Sequence, residues 1–147
     1  MTGKRRSLYT ALFLLYLAVL LTITVVRPWS GQYRFLGGSV NTKILTGYVP
    51  ILRTSVRRFI YLFGGNIVWF VPLGFYLRFV KERPFWRAVL SGLLLSLFIE
   101  GMQFVLGTGV SEIDDLLLNT LGSAVGALAA ACISKKNREN GGVSEEK

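Results

Sequence analysis

The sequence predicts an all-α membrane protein: a bundle of four transmembrane helices with both termini in the cytoplasm. Three observations predict it. Fifty-two per cent of the 147 residues are hydrophobic, more than a single small soluble domain can bury. The apolar residues fall into four blocks of roughly 20, the length that crosses a ~30 Å hydrocarbon core as a helix. The formal net charge is nonetheless +9, and the basic residues stand at the borders of the blocks. Disorder is excluded by the apolar content, and the hydropathy does not suit a nucleic-acid binder. The single cysteine, Cys132, excludes an internal disulfide. The absence of histidine removes the commonest general base and the commonest zinc ligand. No cofactor and no metal site are expected.

The first span, about 8–26, follows Lys4, Arg5 and Arg6. It has the basic start and apolar centre of a signal peptide. But Val25-Val26-Arg27-Pro28-Trp29 lacks the small-x-small cleavage pattern, so it reads as a retained span. The second, about 59–77, is bracketed by Arg57, Arg58 and Arg78. Pro72 is expected to kink it, with Gly74 packing nearby. The third runs over 88–107. The fourth runs over 115–134 and stops at Lys135 and Lys136. Residues 1–134 thus form one domain. Residues 27–58 form a basic external loop, and 135–147 a polar, frayed cytoplasmic tail. Lipid leaves backbone groups without partners, so each span is expected to be helical.

Orientation follows from the basic residues in the connections. The N-terminus has three, the second-to-third connection has four (Arg78, Lys81, Arg83, Arg87), and the tail has four. These eleven are assigned to the cytoplasm. The first connection keeps six outside: Arg27, Arg34, Lys43, Arg53, Arg57 and Arg58. Trp29 and Trp86 fall near the expected interfaces, as aromatic belts do.

Charged groups cost at least ~2.5–3.5 kcal/mol at a bilayer centre, so an intramembrane one needs a reason. Glu100 lies about six residues, or ~9 Å of helix, from the outer end of the third span. Gly92, Ser96, Glu100, Gln103 and Gly107 make one small and polar stripe. On the fourth span Asp115, Asn119, Gly122 and Gly126 share a face. The connection between these spans is short, so they form an antiparallel hairpin. Asn66 on the second span comes to comparable depth. The expected result is a polar pocket with two carboxylates, open to the outside and rimmed by Arg53, Arg57 and Arg58.

Structural roles compete with this reading. Asp114 and Asp115 stand at a helix start, where carboxylates cap free N–H groups, and Ser111 with Asp114 approximates a capping box. Asn66 and Asn119 suit interhelical hydrogen bonds, and Gly122-x-x-x-Gly126 suits close helix packing. A buried carboxylate is either protonated or paired. Glu100 is the hardest of these to make structural.

Three blocks together resemble the VanZ-like family. Asn66-Ile67-Val68-Trp69-Phe70-Val71-Pro72-Leu73-Gly74-Phe75 is similar to its N-x-x-x-F-x-P-L-G-F block. Ile99-Glu100-Gly101-Met102-Gln103 is similar to I-E-x-x-Q. Ile113-Asp114-Asp115-Leu116-Leu117-Leu118-Asn119-Thr120-Leu121-Gly122 carries D-D-x-x-x-N-T-x-G, with Gly126 as the following glycine. Order and spacing fit over about residues 59–130. One departure stands out. Many members carry an arginine shortly before the aspartates, whereas Gly107-Thr108-Gly109-Val110-Ser111-Glu112 has no basic residue. If that arginine neutralises a carboxylate or binds a phosphate, Arg53, Arg57 or Arg58 must substitute. The resemblance implies a bacterial cytoplasmic membrane protein of the cell envelope. It also implies a link to resistance against teicoplanin, a lipid-tailed glycopeptide, or a housekeeping role where no resistance cluster is present.

Three functions fit these residues. The first is a non-enzymatic binder of the bilayer's own anionic lipid, a lipid-linked wall precursor or a lipoglycopeptide, with Asn66, Glu100, Gln103, Asp114, Asp115 and Asn119 at the head group and the arginines on phosphate. The second is a small intramembrane enzyme with Glu100 and Asp115 as general acid and base, or holding a divalent cation with Asn119 and Gln103. The third is a transporter subunit, which four spans would support best as a homo-oligomer.

Overall fold

A computed structural model describes residues 3–26 and 35–142. In chain order the elements are α1 (Gly3–Val25), β1 (Ser39–Asn41), α2 (Tyr48–Thr54), α3 (Val56–Phe79), α4 (Phe85–Leu106), β2 (Val110–Glu112) and α5 (Ile113–Gly142). Among the described residues, four helices are long and apolar enough to cross a membrane: α1, α3, α4 and the Ile113–Lys135 part of α5. The four expected spans are therefore present, each within a few residues of its expected bounds.

Local chemistry sets the helix ends. Ser55 is extended, and its hydroxyl accepts from the Arg58 N–H at 3.3 Å, which caps α3 and divides it from α2. Extended Pro84 precedes α4. Gly107, at φ 63°, turns the chain out of α4 in the left-handed conformation that glycine adopts freely. The Thr108 N–H then bonds the Gln103 carbonyl at 3.1 Å. The helix α3 runs on through Pro72, which is exposed on its surface. The helix α5 continues to Gly142, so residues 135–142 are helical where the sequence suggested a frayed tail. Arg27, Trp29 and Arg34 lie outside the described residues, as does 143–147.

The centre of the bundle is a seam between α3 and α5. A Cβ on Gly74 would fall on the Ser123 carbonyl, one on Gly122 on the Ile67 carbonyl, and one on Gly126 on the Val71 carbonyl. The helices approach at backbone level, as the small-residue spacing predicted. Leu20, Val25, Phe70, Leu73 and Ile99 form the buried apolar core beside the seam. Helix α1 is the least enclosed span. It is held by Phe13 stacked on Tyr76 (3.8 Å, 7°) and by the Tyr76 hydroxyl, which donates to Thr10 Oγ1 at 3.1 Å.

The first connection folds down onto the bundle. Strand β1 pairs in parallel with β2, with Ser39 opposite Val110 and Asn41 opposite Glu112. The Leu36 and Gly38 N–H groups bond the carbonyls of Val105 (2.8 Å) and Phe104 (3.1 Å). Tyr48 on α2 meets the rings of Phe59 and Phe63 edge-on, at 6.2 and 5.4 Å. This end of the bundle, the loop end, carries the carboxylates.

Candidate functional site

Helix α5 starts with Asp114 and Asp115 in its first turn. Asp115 Oδ1 accepts from the Tyr48 hydroxyl at 3.3 Å and from the Asn66 side-chain amide. The same amide lies 3.2 Å from the Tyr48 oxygen. Three elements thus converge on one carboxylate oxygen. Asp115 Oδ2 has no partner among the described residues. Burial, and then the Asp115 charge, push the Tyr48 phenol above its ordinary range, so Tyr48 stays a donor. A cavity of about 260 Å³ opens here, lined among others by Tyr48, Ile51, Leu62, Asn66, Glu112 and Asp115.

Glu100 faces a different space. It is 7 % exposed. Its Oε2 accepts from the Glu112 N–H at 3.0 Å, and its backbone carbonyl accepts from Ser111 Oγ at 2.7 Å. A cavity of about 350 Å³ lies along it, walled by Val40, Leu97, Phe104 and Leu116, with Glu112 at the edge. Glu112 lines both cavities and takes the Asn41 amide on Oε1 at 3.4 Å. The expected single pocket is therefore two, divided at Glu112. Among the described residues, neither lining includes a lysine or arginine.

Asp114 has another task. Both its oxygens lie 2.9 Å from the Leu45 N–H. Leu45 sits at φ 57°, a conformation that costs a non-glycine residue about 1–3 kcal/mol. A charge-assisted hydrogen bond offsets that cost. No capping box is formed among the described residues: Ser111 Oγ donates to the Glu100 carbonyl, and the Asp114 carboxylate turns to the Leu45 N–H. Deeper in the bundle, the Asn119 amide donates to Ser96 Oγ at 2.9 Å and Ser123 Oγ to the Ala88 carbonyl at 2.8 Å. These are interhelical bonds between α4 and α5.

Among the described residues no group of three or more histidine, cysteine, aspartate or glutamate side chains is placed to hold a metal ion. The VanZ/LLP1 family model matches residues 12–134. This chain belongs to the VanZ/LLP1 family. The match takes in α3 and α4 whole, the fourth span to within one residue of its end, and more than half of α1. No curated protein and no solved structure matches the chain.

The three blocks of this VanZ/LLP1 protein meet at the loop end only in part. Asn66 and Asp115 come together as expected. Gln103 does not join them: its amide donates to the Thr24 carbonyl of α1 at 3.1 Å, because the third-span stripe is wide enough to face two neighbours. Asn119 bonds Ser96 below the cavities. Arg53, Arg57 and Arg58 are exposed and line neither cavity. Sequence reasoning missed Tyr48 as a partner of Asp115. Nor does it single out Glu112. The sole hint was position, since Glu112 directly precedes the two aspartates.

Proposed function

We propose that this VanZ-family membrane protein holds the polar head group of a lipid or lipid-linked envelope molecule at its loop end. The carrying observation is the cavity beneath α2, where Asp115 is fixed by Tyr48 and Asn66 while its Oδ2 has no partner among the described residues. A positioned acceptor in a small polar space suits recognition of a donor-bearing head group. The charge distribution supports placing this end in the outer leaflet of the bacterial cytoplasmic membrane, with both termini cytoplasmic. Arg53, Arg57 and Arg58 reach solvent on α2 and the start of α3, where they are available to anionic lipid. Catalysis by Glu100 and Asp115 as a pair is less well supported, because the two line separate cavities. The family's link to teicoplanin makes a lipoglycopeptide one such ligand, and resistance one outcome of binding it.

Lipids retained by the protein in mild detergent test the reading by native mass spectrometry. The wild type is expected to keep an envelope lipid, and Asp115→Asn, which preserves the Oδ1 acceptor, to keep roughly tenfold less. A wild type that retains no lipid overturns it. In a teicoplanin-susceptible bacterium, expression is expected to raise the inhibitory concentration, and Asp115→Asn to abolish the rise. Unchanged sensitivity with the protein in the membrane removes the resistance outcome alone.

A further inference from the structure

We propose that the ligand is an amphiphile whose head group carries a protonated amine, with its apolar chain lying in the groove between β1, α4 and α5. The inference rests on the head-group reading above and names the chemistry of the ligand. The first support is adjacency. The polar cavity and the apolar groove lie on either side of Glu112, so an amphiphile with its head in one and its chain in the other would lie across that residue. The groove opens sideways toward lipid, since Leu97 is 56 % and Val40 60 % exposed along it. A chain enters there without leaving the bilayer.

The second support is charge. Glu100 is more than nine-tenths buried, lines the groove, and offers Oε1 with no partner among the described residues. Glu112 Oε2 and Asp115 Oδ2 are likewise unpartnered there. Among the described residues, no lysine or arginine lines either cavity. Acceptors on both sides of Glu112, with no cation among the described lining residues, repel a bare phosphate and attract an ammonium. An ammonium presents three donors and no acceptor, the complement of carboxylate oxygens. A lipid phosphate attached to that amine would lie outward, on the side of α2 and the start of α3 where the exposed arginines stand.

The test uses the full chain in mild detergent with phosphatidylethanolamine and its N-acetyl derivative of identical chains as competing probes. Phosphatidylethanolamine is expected to be retained roughly tenfold over the acetylated lipid, the ratio one charge-assisted contact supplies. Glu112→Gln, a half-buried position, is expected to shrink that ratio toward unity with the helical melting curve unchanged. Gly101→Trp is expected to reduce retention of both lipids several-fold. Gly101 lines the groove, and a Cβ there meets nothing within 4 Å, so the ring fills the groove without disturbing the helix. Equal retention of the two lipids overturns the amine while leaving a head-group site standing. Undiminished retention by Gly101→Trp overturns the chain's place in the groove. Retention of neither lipid by the wild type removes this inference together with the reading beneath it.

Discussion

The α3–α5 seam and the loop end are built from the same two helices on opposite principles. At the seam, glycines bring backbone against backbone, and a Cβ has no room at Gly74, Gly122 or Gly126. At the loop end the same helices separate, and polar side chains span the gap to a folded connection. The seam is closed and satisfied. The loop end holds two cavities and spare carboxylate oxygens. A membrane bundle cannot draw on water exclusion to pull helices together, so its firmness comes from such close packing. That firmness is what lets the other end hold charge that no described residue fully pairs.

The largest effect expected from breaking this contrast is at the seam. Gly126→Leu would drive a side chain into the Val71 carbonyl and the Phe75 N–H. Overpacking commonly costs about 1–3 kcal/mol and more where backbone must move. Loss of the folded protein's peak on size-exclusion chromatography is expected. The control is Gly65→Ala on α3, where a Cβ meets nothing within 4 Å. It is expected to leave stability equal or raise it by about 0.5–1 kcal/mol, the usual gain on removing a helical glycine. Equal behaviour of the two variants would mean that the seam is not the anchor.

The seam was legible in the sequence and the loop end only partly so, for a physical reason. Helical periodicity sorts residues onto faces, and the faces of Gly122 and Gly126, or of Ser96 and Asn119, do meet their partners. Periodicity does not say which neighbour a face meets when a stripe borders two. Gln103 therefore reads as a pocket residue and instead holds Thr24. The first connection has no run long enough to carry a period. Its three-residue strand finds a partner about 70 positions away, and its helix over Tyr48–Thr54 is too short to announce itself. Tyr48 joins Asn66 and Asp115 through that tertiary fold alone.

A smaller effect is expected where the connection is fastened to α5, and it separates the two regions most finely. Asp114 holds the Leu45 N–H at 2.9 Å from each oxygen, and Leu45 is kept at φ 57°. Asp114→Ala removes an acceptor worth about 1.5–3 kcal/mol as a hydrogen bond to a charged group. The left-handed strain at Leu45 then has nothing to offset it. Hydrogen exchange at the Leu45 amide is expected to quicken by roughly ten- to a hundredfold, at about tenfold per 1.4 kcal/mol. Exchange in the middle of α5 should be unmoved, because there the seam glycines pack against the α3 backbone. Asp114→Asn, which keeps one acceptor oxygen, should fall between the two. If Leu45 exchange stays at the wild-type rate in Asp114→Ala, the connection is held by the β1–β2 pairing instead, and the carboxylate is idle. If α5 loosens as well, the two regions are one cooperative unit and the contrast between them fails.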